Sequence, residues 1–136
     1  MLITKETDYA LRILRALAGG ERLTTEQLAR DEQIPKQFAY KILKKLQKGG
    51  IIQILRGADG GCTLAAGLEQ VTFLQLLQTM EEDAYVSSCM KPGYQCQWCM
   101  EHGNVGCGAH KHLTSIQEKL NQEMEAHSLW EILFGS

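Results

Sequence analysis

Four of the five cysteines in this 136-residue chain lie close together, Cys89, Cys96, Cys99 and Cys107, with the spacing Cys-x6-Cys-x2-Cys-x7-Cys and with His102, His110 and His112 nearby. The stretch that holds them, CMKPGYQCQWCMEHGNVGC, is poor in apolar residues and is punctuated by Pro92, Gly93, Gly103 and Gly106, with Gly108 following. That composition predicts a loop too irregular for helix or strand. Ordering such a loop costs backbone entropy that no apolar burial offsets, so the residues point to something that binds the thiols. Bunched thiolates are the donor set that soft or borderline metals and iron-sulfur clusters select. A four-thiolate cluster site and a tetrahedral zinc site built from Cys96, Cys99, Cys107 and His110 both satisfy the spacing, which does not separate them. A thiol switch without metal is a further reading, and His102 and His112 carry no specific signal.

A chain of this length can bury a real core without disulfide bridges. Lys5, Glu6 and Asp8 interrupt the N-terminus before an apolar run can form, and no stretch of about 18 apolar residues occurs, so neither a secretory signal nor a membrane span is expected. The expected setting is the cytoplasm, where thiols stay reduced and clustered cysteines bind metal or respond to oxidants. The net charge of −2 hides an asymmetry, because residues 1–60 hold eleven Lys and Arg against seven Asp and Glu while the remainder is acidic. A basic first half is a modest sign of a polyanionic partner.

The elements that must position these groups follow from periodicity. Residues 6–18 place Ala10, Leu11, Leu14, Leu17 and Ala18 at helical spacing before Gly19-Gly20. Thr24 and Gln27 form a capping box that opens a short helix over 25–33, and Ile34-Pro35 separates it from a third helix over 35–48. On that third helix Ala39, Ile42, Leu43 and Leu46 make the inner stripe, while Lys36, Gln37, Tyr40, Lys41, Lys44 and Lys48 occupy the outer face. Two helices joined by a tight turn, the second with a basic face, read as helix-turn-helix.

After Gly49-Gly50, IIQILRG and CTLA predict two strands about the turn GADGG, which makes the unit a winged helix. Arg56 and the glycines Gly57, Gly60 and Gly61 would let the hairpin approach a phosphate or the minor groove. Thr72 caps a further helix with Phe73, Leu76, Leu77 and Met80 on one face. Residues 109–127 predict a long polar helix whose narrow stripe, Leu113, Ile116, Leu120 and Met124, suits a seam between two copies of the chain, completed by Trp130, Ile132 and Leu133. The expected fold is therefore mainly α with a small β-hairpin wing. It divides into a winged-helix DNA-binding domain over 1–80 and a segment over 81–136 that carries the sensor loop, 89–107, and the dimerisation helix.

In this order TDYALRIL, IPKQFAYKILKKLQKGGII, RGADGGCTLA and VTFLQLLQTME resemble the bacterial Rrf-two family of winged-helix regulators, over nearly the whole chain. The resemblance implies a homodimer that binds double-stranded promoter DNA and, in the cluster-bearing members, a 2Fe-2S or 4Fe-4S cluster held by three loop cysteines and one further ligand. By that resemblance Cys89 and Cys107 are the outer ligands, and either Cys96 or Cys99 is the middle one. His110 resembles the histidine of the 2Fe-2S members, and Asp8 sits where the nitric-oxide-sensing branch takes a carboxylate from the partner subunit. Cys62 stands where the family usually has Tyr, and reads as a small strand residue. The expectation is a non-enzymatic transcriptional regulator whose loop carries an iron-sulfur cluster and senses iron, redox state or nitric oxide. Its rivals are the same fold with zinc or a thiol switch, and a cluster-bearing redox protein. Against the last, the chain shows no nucleotide-binding glycine motif and no nucleophile-base pair.

Overall fold

The computed structural model describes residues 3–57, 60–81, 84–103 and 106–135. Three helices form the first layer: α1 (Lys5–Leu17), α2 (Thr25–Asp31) and α3 (Lys36–Lys48). Helix α1 carries Glu6 and Asp8 in its first turn and Arg15 in its last, each at the end of the helix dipole that favours its charge. The Thr24 capping box is formed, with Gln27 N donating to Thr24 Oγ1 at 3.1 Å and Thr24 N to Gln27 Oε1 at 2.8 Å. Helix α2 stops at Asp31, two residues earlier than expected, because Gln33 adopts φ 55° and turns the chain before Ile34-Pro35. Pro35 then caps α3 from outside rather than opening it.

The core is the convergence of three apolar faces, Ala10, Ile13, Leu14 and Leu17 of α1, Ala39, Ile42, Leu43 and Leu46 of α3, and Leu76 and Met80 of α4 (Phe73–Met80), all buried. At roughly 1.5–3 kcal/mol for each large side chain removed from water, these faces are what hold α3 in place. Strands β1 (Ile52–Leu55) and β2 (Gly61–Leu64) pair antiparallel with Ile52 opposite Leu64 and Leu55 opposite Gly61. Ala58 and Asp59, at the expected hairpin turn, lie outside the described residues. Leu23, between α1 and α2, adds a bridge to Cys62 that the alternation of the two strands does not announce.

The chain beyond residue 80 packs back on this layer. The loop is less irregular than its composition predicts, holding a single 3-10 turn over Ser88–Met90 and a short helix, α5 (Gln97–Glu101). Local i,i+4 pairs account for α5: Gln97 donates to Glu101 at 3.0 Å, and the Trp98 and His102 rings stack at 4.1 Å. Helix α6 (Gly108–Ala126) lies against α4, and α7 (Leu129–Phe134) returns Leu129 to the core through a 2.8 Å bond from its amide to the Val71 carbonyl. No helix among the described residues is long and apolar enough to cross a membrane.

The stripe expected on α6 splits. Met124 is buried against its own chain at 7 % exposure, whereas Ile116 is 48 % exposed, and Leu113 and Leu120 are intermediate. The inward face instead centres on Gln117, also 7 % exposed, whose Oε1 accepts from the Val86 amide at 2.7 Å and whose Nε2 donates to Asn121 at 2.9 Å. Leu133 packs on the core, while Trp130, Ile132 and Phe134 remain exposed.

Candidate metal centre and DNA-facing surface

The thiols of Cys89, Cys96, Cys99 and Cys107 are half-buried and line one cavity, together with Tyr94, Met100 and His110. They come from three local structures: Cys89 from the 3-10 turn, Cys96 and Cys99 from the cap position and interior of α5, and Cys107 from the cap position of α6. Asn104 and Val105, between the last two, lie outside the described residues. Ser87 Oγ stands 3.4 Å from Cys89 Sγ. The Cys99 amide, the Cys99 thiol and the Trp98 amide lower the pKa of Cys96, whereas burial first, and then the Cys96, Cys107 and Cys89 thiols, raise that of Cys99.

Among the described residues no three His, Cys, Asp or Glu side chains close on a common centre as a finished metal site. The chemistry of the donor set nevertheless fits an iron-sulfur cluster, since four soft sulfur donors line one shared cavity. His110 borders the same cavity. Asp8 does not; it lies on α1 and accepts from Arg12 at 3.0 Å.

The position of the cavity is set by α6. Gln117 holds Val86, just ahead of Cys89, and Thr114 Oγ1 donates to the His110 carbonyl at 2.8 Å and lies 3.5 Å from Met90 Sδ. Sequence reasoning passed over Gln117. Its signal was a long polar residue one place off the apolar stripe, where only a partnered amide is tolerated in burial.

Tyr40 and Lys44 of α3 and Arg56, Gly57, Gly60 and Gly61 of the hairpin line a second cavity, a groove between helix and wing. Gly57 has φ +108°, a backbone conformation that glycine supplies without strain. Gln37 and Lys48 are exposed beside it. The basic face is partly neutralised, because Lys36 lies 3.2 Å from Glu26, Tyr40 OH donates to the same carboxylate at 3.3 Å, and Lys41 lies 2.9 Å from Glu6. Lys36 has its pKa raised by Glu26 in turn. Lys44, Lys48 and Arg56 have no ion-pair partner among the described residues. Two side chains here escaped the sequence reading: Phe38, exposed on α3 with its ring 6.3 Å from Tyr9, and Glu6.

Fold and site together define a winged-helix protein with a thiol-lined cavity. The Rrf2 family model, described as an iron-dependent transcriptional regulator, matches residues 3–134, and the chain belongs to that family. It is 37 % identical over 93 residues to the HTH-type transcriptional repressor NsrR of Streptomyces coelicolor, covering 65 % of this chain and 63 % of that protein. It is 30 % identical over 95 residues to protein aau3 of Rhizobium meliloti, covering 68 % and 62 %. The match thus spans a little under two thirds of these relatives' own length. The solved structure of CymR, the global cysteine regulator of B. subtilis, superposes with a TM-score of 0.74 at 16 % identity, over 100 % of this chain and 98 % of that one. At that identity the likeness is one of fold.

Proposed function

We propose that this chain is a homodimeric, DNA-binding transcriptional regulator in which Cys89, Cys96, Cys99 and Cys107 hold an iron-sulfur cluster. The observation that carries the reading is that four cysteines from three local structures line one cavity. When bound, the cluster supplies a centre that oxidants, nitric oxide or iron shortage alter. If only three thiols coordinate, His110 already borders the cavity, whereas Asp8 would serve only from a second copy of the chain.

The protein's own residues supply the rest. Gln117, through Val86, and Thr114, through Met90, fasten the loop to α6, so reordering of the loop is felt along that helix. The exposed apolar side chains of Ile116, Trp130, Ile132 and Phe134, with Leu113 and Leu120, are the surface for the second copy. Movement of α6 there changes how two winged helices stand to each other, and with it their fit to a palindromic duplex.

The test compares anaerobically loaded and metal-free protein on duplex selected from a randomised pool. A clear difference in affinity between the two forms is expected. Equal affinity would remove the sensing role, and no duplex binding by either form would remove the regulatory one.

A further inference from the structure

Glu6, in the first turn of α1, stands between two cations of α3, the recognition helix in the DNA-binding reading. Its Oε1 is 2.9 Å from Lys41 Nζ and its Oε2 is 2.7 Å from Lys45 Nζ. The two lysines have different roles. Lys45 is turned inward and also donates to the Met80 carbonyl at 3.1 Å, tying α3 to the end of α4. Lys41 is 58 % exposed and shares the outer face with Lys44 and Lys48, three and seven residues further on.

The carboxylate between them is well fixed. Thr7, fully buried, donates to Glu81 at 2.8 Å, and Thr4 donates to the same oxygen, so the first turn of α1 is fastened to the end of α4. Hydrogen bonds from Lys45 and then Lys41 hold Glu6 below its usual pKa, so it stays anionic at neutral pH. Glu26, which meets Lys36 on the same helix, makes the useful contrast. Glu26 is 58 % exposed and its lysine 56 %, whereas the Glu6 side chain is only 19 % exposed. An exposed pair yields readily to a phosphate, but a half-buried carboxylate with few water contacts resists losing a partner.

We propose that Glu6 is a positioning residue that holds Lys41 away from the DNA backbone, so that the recognition helix presents one fewer phosphate-binding cation than its sequence carries. This rests on the DNA-binding reading. Glu6 therefore sets the electrostatic strength of binding, while Lys44, Lys48 and Arg56 carry the phosphate contacts.

The test is fluorescence anisotropy of the full chain on a random-sequence duplex across a salt series. Glu6→Gln is expected to bind more tightly at low salt and to steepen the log K against log salt slope by roughly 0.9 for each freed lysine. Adding Lys41→Ala to that variant is expected to restore the native slope. An unchanged or shallower slope in Glu6→Gln overturns the proposal. Should that variant fail to fold, single substitutions in the native chain decide: Lys44→Ala should flatten the slope and Lys41→Ala should leave it nearly unchanged, whereas equal flattening by both overturns it. A native chain that binds no duplex at any salt overturns the DNA reading, and this proposal with it.

Discussion

Leu23 and Cys62 exchange two backbone hydrogen bonds, 2.8 Å from the Cys62 amide and 3.2 Å from the Leu23 amide, so the wing is anchored to the segment between α1 and α2 as well as to itself. The residue before Cys62 makes this approach possible. Gly61 has φ +141°, and a Cβ there would meet the Leu23 carbonyl oxygen at 2.8 Å. Gly61→Val should detach the hairpin from Leu23, destabilising the fold by about 1–3 kcal/mol. Thermal unfolding measures the loss, and faster amide exchange at Leu23 and Cys62 localises it.

Cys62 itself is sealed in the core at 1 % exposure, its thiol donating to the Leu23 carbonyl at 3.4 Å, and burial pushes its pKa up to about 11. A thiol so rarely ionised at neutral pH is a poor nucleophile. Iodoacetamide should therefore alkylate the four loop cysteines of metal-free protein and spare Cys62 until denaturant is added. Peptide mass mapping reads the pattern, and early labelling of Cys62 would mean that the wing opens.

On the groove, Lys44→Ala, Lys48→Ala and Arg56→Ala should each weaken binding to all duplexes alike, flattening the salt dependence by roughly 0.9 for each phosphate left without its cation. Tyr40, 47 % exposed and bonded to Glu26, lines the groove between α3 and the wing. Tyr40→Ala should change which sequences a randomised-site selection recovers, and an unchanged selection would leave Tyr40 a packing residue.

His127, at the corner between α6 and α7, lies 2.9 Å from both Glu123 and Glu131, and these carboxylates, Glu131 first, raise its pKa above the ordinary 6.5. Raising the folded pKa means that the charged form is favoured by folding. Its contribution is thus complete below about pH 6.5 and is lost as pH climbs through the raised value. The melting temperature should fall over that interval in native protein and fall less in His127→Gln. High salt should shrink the difference, because the pairs are exposed.

Much of the fold was legible because its signals are local. Ala39, Ile42, Leu43 and Leu46 recur at helical spacing, the Thr24-Gln27 pair is a capping box, and Gly49-Gly50 breaks the chain before β1. What escaped depends on groups far apart in sequence: the Leu23 bridge to Cys62, Glu81 beneath Thr7, and Glu6 against Lys41. Periodicity placed Lys41 on the outer face of α3 correctly and said nothing of the carboxylate opposite it. On α6 the stripe was visible, but Gln117 turned one edge of it inward by hydrogen bonding to Val86. In the loop, glycine and proline content concealed α5, which side-chain pairs at i,i+4 hold.

The central claim is tested most directly by iron and acid-labile sulfide analysis of strictly anaerobically purified protein, beside its visible absorption spectrum. Coloured protein containing iron and sulfide in matching amounts is expected, with both absent from Cys89→Ala and Cys107→Ala. Colourless protein that retains one zinc per chain, or no metal at all, would contradict the account.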